Sequence, residues 1–430
     1  MSPRGALIDL TPLRRSAPFR RLWLGGMLAG LGAQIAVVGV LFQVWELTRN
    51  PFWVAALGLA QAGPMIVMGL VGGPVADVLD RRKVGLWATA GQSLAALALA
   101  TQILLGAYPL PLLLVLISVQ TAFGALGAPA RRTFTVRLLD RSLVPAGIAL
   151  QMVSFQAAML VGPALGGVLI GATSVAVCYL VNAVALLVSW WSVWSLPAMP
   201  PRRGVPSARS ADPARATARL RRRLRRALVM IGEGVQQVRR NPVLRGSFLL
   251  DLAATLLAFP VALFPMVNTE LFDSDPRTLG LFLSSIAVGG VSAGLASGLV
   301  TRTAHLGRVQ LLAVGVWGVA LVGFGAAALA GTAWLCLAFL VVAGAADTVS
   351  VTSRAAMVQL ATADSHLGRV SAVEHVIGVA GPDIGNARAG AVAGLTTPAW
   401  SALLGALACL GASAWVALRH REVADFVVED

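Results

Sequence analysis

Residues 72–83, Gly72-Gly73-Pro74-Val75-Ala76-Asp77-Val78-Leu79-Asp80-Arg81-Arg82-Lys83, decide the fold of this chain because they lie between two long apolar runs. The glycines allow two helices to approach closely. Asp77 stands where a membrane helix would reach the surface, and the three cations from Arg81 to Lys83 favour one side of a bilayer. The stretch therefore predicts a charged turn between two membrane-spanning helices.

The composition points to a membrane protein. Of the 430 residues, 57% are hydrophobic and 12% are charged, about half of the roughly 25% that is usual in soluble proteins. The net charge of +15 is spread between apolar runs, which argues against a nucleic-acid-binding face. The three cysteines and four histidines are scattered without the spacing of metal ligands. No metal, disulfide or cofactor is therefore expected.

A membrane-spanning helix needs roughly 20 apolar residues, and the chain contains twelve runs of about that length. They predict an all-α integral membrane fold with six spans on each side of a polar break. The expected domains are a bundle at 1–196, a basic linker at 197–245, a second bundle at 246–418 and a tail at 419–430. The runs are 22–46, 53–76, 84–106, 111–130, 146–170, 174–196, 246–270, 278–300, 309–330, 333–353, 370–394 and 397–418.

The positive charges predict the orientation of these spans. With both termini in the cytoplasm, 31 of the 34 lysines and arginines fall in cytoplasmic segments. Arg49 and Arg277 fall outside, and Arg388 falls within a span. Such an asymmetry favours a multi-pass protein of the inner membrane with both termini in the cytoplasm.

Within the linker, a basic amphipathic helix is expected. Apolar residues recur at helical spacing from Leu220 to Val238, among the arginines between Arg219 and Arg226. This pattern is typical of a helix that lies on anionic lipid. A nucleic-acid or protein partner is the alternative interpretation.

Residues 72–83 resemble the loop between helices two and three of the major facilitator superfamily, whose pattern is G-x-x-x-D-x-x-G-R-R/K. Gly73, Asp77, Arg81, Arg82 and Lys83 stand at the matching positions, whereas Asp80 replaces the usual glycine. The resemblance implies two parallel six-helix repeats, a substrate site between them near the middle of the bilayer, and a gate at this loop.

The fifth span, "LVGPALGGVLI", contains Gly162, Pro163, Gly166 and Gly167. Close helix packing through small residues would explain these positions. The run also resembles the fifth-helix motif of antiporters in the superfamily, which implies export. Together with "GAPARRTFTVRLLDRSLVPAGIALQMVSF" and "LGRVSAV", it resembles the branch that exports siderophores and macrolides. The fourth span has no charge before Arg131, so the arginine of many drug antiporters is not found there.

Ionisable residues within spans are costly and are functional candidates by default. For proton coupling the candidates are Asp383, Glu374 and Asp347. Asp383 follows Pro382, which cannot donate a backbone hydrogen bond and should open the helix at mid-depth. A static bridge from Asp383 to Arg388 is the structural alternative.

Two further acid–arginine pairings are expected from the spacing in the second half. Asp347, in the tenth span, could pair with Arg354 in a purely structural role. Asp251, near the start of the seventh span, is expected to pair with a loop arginine.

The candidates for the substrate cavity are Gln34, Gln61, Gln151 and Arg388. Amide side chains in an apolar wall suit bulky, weakly polar molecules, although each could instead join two helices. The combined prediction is a monomeric secondary transporter that exports amphipathic small molecules, such as siderophores or antibiotics, in exchange for protons. No nucleotide-binding motif is present, so ATP is not the expected driver.

Two alternatives remain open. The first is an uptake symporter of the same fold. The second is a membrane-embedded lipid-modifying enzyme, which would need a cluster of catalytic groups at one membrane face. Glu374 and His375 are the only close acid–imidazole pair, and neighbouring residues of a helix point in different directions. The chain is therefore predicted not to be an enzyme.

Overall fold

The computed structural model describes residues 9–106, 109–199, 229–296 and 303–427, and every regular element within these ranges is helical. The helices of the first half are α1 Thr11–Arg15, α2 Ala17–Thr48, α3 Pro51–Val78, α4 Arg81–Leu104, α5 Leu110–Leu138, α6 Val144–Ala172 and α7 Val175–Trp194. Those of the second half are α8 229–240, α9 Pro242–Leu252, α10 Phe264–Phe272, α11 Pro276–Leu295, α12 Leu306–Leu329, α13 Ala333–Leu360, α14 Asp364–Leu395, α15 Pro398–Arg419 and α16 Arg421–Ala424.

The predicted all-α membrane fold is confirmed. Within the described ranges, 11 helical segments are long and apolar enough to cross a membrane. The twelfth is α14, which has 32 residues and includes Glu374, Asp383 and Arg388. These charged residues lower its hydropathy, although its length is ample for a span.

The chain divides into two compact units. The first comprises Met1–Val40 and Gly63–Arg225, and the second comprises Leu41–Ala62 and Arg226–Asp430. The end of α2 and the start of α3 thus pack with the second half of the chain. The domain bounds given above follow position along the sequence and remain a prediction.

Small residues bring the helices of the first unit together. A Cβ at Gly72 of α3 would lie 2.7 Å from the carbonyl oxygen of Leu126 on α5. On α4, a Cβ at Gly91 would lie 2.5 Å from the ring of Phe123. Larger side chains at either position would force α3 or α4 away from α5.

Asp80 explains how the turn between α3 and α4 forms without glycine. Its φ of −60° lies in the region that any residue adopts. Its Oδ1 accepts hydrogen bonds from the backbone N–H of Arg82 at 2.8 Å and of Met199 at 3.3 Å. Asp80 therefore caps α4 and also holds the chain that leaves α7.

The second unit uses the same close packing. A Cβ at Gly289 of α11 would overlap the carbonyl oxygen of Val341, and a Cβ at Gly344 of α13 would overlap that of Ile286. Helices α11 and α13 therefore touch backbone to backbone. Next to this contact, Phe264 stacks on Phe282 with ring centroids 5.3 Å apart.

The span predicted at 246–270 lies within the apolar segment Pro242–Phe272, but this segment is not one continuous helix. Helix α9 passes into a π-helical turn at Ala253–Leu257, residues 259–260 are not helical, and a 3-10 turn at Val261–Leu263 precedes α10. Pro260 cannot donate a backbone hydrogen bond. The missing donor favours a break in the helix at this point.

Candidate functional site

Helix α14 is central to the candidate site. It continues through Pro382 from Asp364 to Leu395, so the opening predicted at mid-depth is confined to the hydrogen bond that Pro382 cannot donate to the carbonyl of Gly378. The fully irregular backbone lies instead in the seventh span. Because π-helical turns occur often at functional sites, the contact between these two segments is informative.

The π-helical turn packs directly on α14 beside Pro382. A Cβ at Gly381 would lie 2.7 Å from Oγ1 of Thr255, and a Cβ at Gly385 would overlap the carbonyl oxygen of Thr255. Only glycine allows this approach. The hydroxyl of Thr255 is held by donating to the carbonyl oxygen of Asp251 at 2.8 Å. The contact between the π-helical turn and α14 is not predicted by the sequence, although Pro260 is a visible signal of a break in the seventh span.

Residues 51–58 of α3 cover another side of α14 within the second unit. A Cβ at Gly58 would lie 2.6 Å from the carbonyl oxygen of Asp383. Further along, a Cβ at Gly390 would lie 2.8 Å from the carbonyl oxygen of Pro51. Small residues therefore set the distance of α14 from both neighbours.

Asp383 has a half-buried side chain at this place. Across the described ranges, no group forms a hydrogen bond or ion pair with its carboxylate. In particular, the static bridge to Arg388 is not formed. A membrane carboxylate without a counter-charge is stable mainly when it is protonated or reached by water.

Arg388 points into the second unit. Its guanidinium lies over Gly405 of α15, where a Cβ would be 2.7 Å from Nη2. It borders a crevice with Phe259 and Leu321 that is too narrow to hold a water molecule. Its Nε is buried and has no hydrogen-bond partner among the residues described. The predicted role of Arg388 in the substrate cavity remains a prediction.

A buried ion triad joins three helices. Arg354 of α13 pairs through Nη1 with Oδ1 of Asp251 on α9, and its Nε lies 3.6 Å from Oε1 of Glu374 on α14. The side chains of Arg354, Asp251 and Glu374 are 5%, 7% and 22% exposed. Valines and Phe248 from the same helices form an apolar cluster beside it. One cation therefore faces two carboxylates in apolar surroundings.

The triad corrects two expectations. Arg354 lies in α13, which continues past the predicted end of the span at 353 to Leu360. Asp251 pairs with this helical arginine, not with a loop arginine. Asp347 does not pair with Arg354: in the described part of the chain it has no hydrogen-bond or ion-pair partner.

The gate-motif residues differ in what surrounds them. A Cβ at Gly73 would meet open space, and the side chain of Asp77 lies outside the described set. Arg81 donates to the carbonyl oxygen of Ala76 at 3.4 Å, and Arg82 donates to that of Trp194. Lys83 is exposed. The close approach predicted for the motif belongs to Gly72, and the gating role remains a prediction.

The antiporter-like motif packs α6 on α2 within the first unit. A Cβ at Gly162 would lie 2.5 Å from Cβ of Gln34, and a Cβ at Gly166 would lie 2.9 Å from the carbonyl oxygen of Ile35. Pro163 and Gly167 are buried as well. The small residues thus serve close packing, and their effect on the direction of transport stays a prediction.

The glutamines predicted for the substrate cavity fall in both units. Gln34 and Gln151 belong to the first unit and Gln61 to the second, and all three are half-buried. Asn182 of α7 is a further buried amide in the first unit. It is 1% exposed, and its amide atoms have no hydrogen-bond partner among the described residues.

A polar network in the second unit was also missed. Trp45 Nε1 donates to Thr269 Oγ1 at 2.6 Å, and Arg49 Nη1 donates to Ser274 Oγ at 3.2 Å. The same Arg49 pairs with Glu46 at 2.7 Å. These contacts join the end of α2 to α10 and to the loop that follows α10. No motif in the sequence signals them.

The fold resembles solved transporters. A POT family transporter in complex with 5-aminolevulinic acid has a TM-score of 0.73 at 9% identity, with 95% of this chain and 97% of that chain covered. A bacterial homologue of the iron transporter ferroportin has a TM-score of 0.68 at 13% identity, covering 95% and 98%. With its helical spans, the chain therefore has the multi-pass helical membrane fold of these proteins.

Sequence comparison identifies the family. The enterobactin exporter EntS of Shigella boydii serotype 18 is 26% identical over 406 residues, which cover 94% of this chain and 91% of that protein. A family model described as transmembrane secretion effector matches residues 8–426. The chain therefore belongs to the transmembrane secretion effector family of the major facilitator superfamily. It is a secondary transporter that exports small molecules.

Proposed function

We propose that this protein exports an amphipathic small molecule of the siderophore type across the inner membrane in exchange for protons. The protein acts as a monomer and a transporter, not as an enzyme, and the proton gradient drives it without a cofactor. Both termini lie in the cytoplasm. The coupling part of this proposal depends on Asp383, which lies next to Pro382 in α14 and has no hydrogen-bond or ion-pair partner among the described residues.

The cargo class is supported by similarity and by the side chains within the spans. The relative with 26% identity is named as an exporter of enterobactin. Amides such as Gln34 and Gln151 lie in mainly apolar helices. Such a surface suits a bulky molecule with few charges better than a sugar or an inorganic ion.

The coupling role of Asp383 follows from its surroundings. Protonation removes the cost of a charge within a span. Loss of the proton creates a negative charge next to Pro382 of α14. This charge can bias how α14 packs against its neighbours, which approach it closely at Gly58, Gly381 and Gly385. Asp347 and Glu374 are the other candidates for this role.

Inverted membrane vesicles would test the proposal with enterobactin as cargo. The wild type should accumulate enterobactin when the interior is acidic, and should stop when the proton gradient is collapsed. Asp383→Asn should lose this accumulation and retain exchange of labelled for unlabelled enterobactin, because exchange needs no net proton movement. The exposed acid Glu422 provides a matched control, Glu422→Gln.

Other outcomes would contradict the proposal. Accumulation that persists without a gradient would exclude proton coupling. Equal transport by wild type and Asp383→Asn would remove Asp383 from the mechanism. Enterobactin uptake into intact cells, driven by an acidic exterior, would favour the symporter alternative.

A further inference from the structure

The chain stays in contact with the second unit after its last span. Helix α15 ends at Arg419, and the residues that follow form the short helix α16. Val423 in this helix is 0% exposed. Residues 420–425, which we call the C-terminal strap, are therefore packed against the protein.

The C-terminal strap joins the starts of two spans, α9 and α12. On α9, a Cβ at Gly246 would overlap the side chain of Val423. On α12, a Cβ at Gly307 would overlap the carbonyl oxygen of Val423, and Nε of Arg308 donates to the carbonyl oxygen of Ala424 at 3.1 Å. Both helices are thus held by backbone and side-chain contacts with the same short segment.

His420 forms the polar contact between the strap and α9. It is 5% exposed, and its ring meets that of Trp415 edge to face with centroids 5.5 Å apart. Nη2 of Arg245 lies 3.3 Å from Nδ1 of His420. Because a guanidinium has donors and no acceptor, Nδ1 accepts this hydrogen bond, and the imidazole is neutral with its proton on Nε2. A second proton on the ring would remove the acceptor and place two cations face to face.

Most of the charges around His420 oppose this second proton. Burial lowers the pKa of His420 first, the charge of Arg245 lowers it next, and the charge of Arg419 adds to the effect, whereas Glu422 raises it. The open strap therefore binds the proton more readily than the closed strap, so acid favours opening. The charged and titratable groups on the elements that meet here are Arg245 of α9, His305 and Arg308 at the start of α12, Arg419 of α15, and Arg421, Glu422 and Asp425 of the strap itself.

We propose that the C-terminal strap is a pH-responsive device, which holds α9 and α12 together while the imidazole of His420 is neutral and detaches when it is protonated. Asp251, which pairs with Arg354 in the buried triad, lies little more than one helical turn beyond Gly246 on α9. Release of the strap therefore frees the part of α9 that leads directly to the triad.

The side of the membrane on which the strap acts rests on the proposed function. With the C-terminus in the cytoplasm, the strap responds to cytoplasmic pH. Exchange of cargo for protons acidifies that side, so the imported protons act back on α9. The strap itself needs no transport to open, and it can be tested separately.

Thiol labelling of the full-length protein in detergent micelles tests the strap. Val423→Cys replaces the buried valine with a side chain of similar size. Val427→Cys, at a position that is 43% exposed just beyond the strap, calibrates the effect of pH on the labelling reaction. Each variant is labelled with N-ethylmaleimide between about pH 8 and about pH 5, the range in which histidine titrates, and peptide mass spectrometry measures the label at each cysteine.

The labelling rate of Val423→Cys, divided by that of Val427→Cys, should rise at the acid end. We expect at least about a fivefold rise, which is the effect of two unit charges ~4 Å apart in bulk water. Cys336 and Cys409 are buried in the same unit. They should stay unlabelled over the whole pH range, because only the strap opens.

Substitutions assign the response to His420. His420→Gln keeps an acceptor for Arg245 and cannot gain a proton, so the ratio should stay constant with pH. Arg245→Gln removes the facing cation and should reduce the rise. His305→Gln is the matched control, because it removes the histidine at the start of α12, and it should keep the full rise.

Three results would overturn the proposal. The first is a ratio that stays constant with pH while His420 is present. The second is an undiminished rise in His420→Gln. The third is labelling of Cys336 and Cys409 together with position 423, which would mean that the whole unit unfolds in acid. None of these results bears on export, and a failure of proton-driven transport in vesicles would leave the labelling result unchanged.

Discussion

The buried triad gives the sharpest test of the second unit. Arg354→Met leaves the carboxylates of Asp251 and Glu374 without their cation, and Asp251 is only 7% exposed. Removing one partner of a buried ion pair costs about 3–5 kcal/mol. For a unit of this size, the expected loss in melting temperature is roughly 6–20 °C.

The two acids should differ in their effects. Asp251→Asn removes the closer and more deeply buried partner of Arg354, and should cost nearly as much as Arg354→Met. Glu374→Gln leaves the ion pair between Asp251 and Arg354 intact, and this pair carries no net charge. Since Glu374 is 22% exposed and its Oε1 lies 3.6 Å from Nε of Arg354, its loss should cost less than ~1 kcal/mol.

A double variant separates the charge effect from simple damage to packing. Arg354→Met combined with Asp251→Leu removes both buried charges and keeps side chains at both positions. Replacement of a buried ion pair by apolar residues of similar volume is often neutral or stabilising. The double variant should therefore be more stable than either single variant at Arg354 or Asp251.

The native cysteines provide the assay. Cys336 and Cys409 are buried in the second unit and Cys178 in the first. In a Cys178→Ser background, a fluorogenic maleimide that reacts as the protein is heated reports unfolding of the second unit. The reasoning would be refuted if Glu374→Gln cost as much as Asp251→Asn, or if Arg354→Met left the melting temperature unchanged.

Three further predictions concern other contacts. Gly166→Leu should destabilise the first unit by about 1–3 kcal/mol, because even a Cβ at this position would lie 2.9 Å from the carbonyl oxygen of Ile35. On heating, Cys178 should then react with the maleimide at a lower temperature than in the wild type. Asp80→Ala should lower the free energy of unfolding by about 1 kcal/mol, because α4 loses its N-terminal cap. A melting temperature equal to that of the wild type would show that the cap does not stabilise the protein. Burial, and next the positive charge of Arg245, lower the pKa of His420. The unfolded chain then binds this proton more readily than the folded chain. The contribution of His420 to the free energy of unfolding should therefore be fully present above about pH 6.5 and should be lost as the pH drops below that value. The melting temperature of His420→Gln should depend less on pH.

Most of the membrane fold could be predicted because hydropathy is a property of whole spans. Runs of about 20 apolar residues stand out wherever the breaks are polar. α14 shows that the pattern survives interruption, since the apolar residues around Glu374, Asp383 and Arg388 still predict a span. Hydropathy did not predict the interruption of the seventh span, because the residues at the interruption are as apolar as those of a regular helix.

The candidate site was only partly predictable because its contacts join positions far apart in sequence. Spacing along one helix suggested that Arg354 pairs with Asp347, whereas three-dimensional packing brings Asp251 from 103 residues earlier and Glu374 from the next helix. Likewise, the sequence shows that Gly381 precedes Pro382, but it does not predict that Gly381 packs against Thr255 of the seventh span.

The π-helical turn and the triad are parts of one arrangement in the second unit. Asp251 holds Arg354 with its carboxylate and accepts the hydroxyl of Thr255 with its backbone oxygen. The backbone of Thr255 in turn packs on Gly385 of α14, the helix that also carries Glu374. A change in the pairing of Arg354 would therefore reach α14 by two routes, through Glu374 directly and through Asp251 and the π-helical turn. Asp251 and Glu374 are therefore coupled in two ways, through their shared partner Arg354 and through the contact of the π-helical turn with α14.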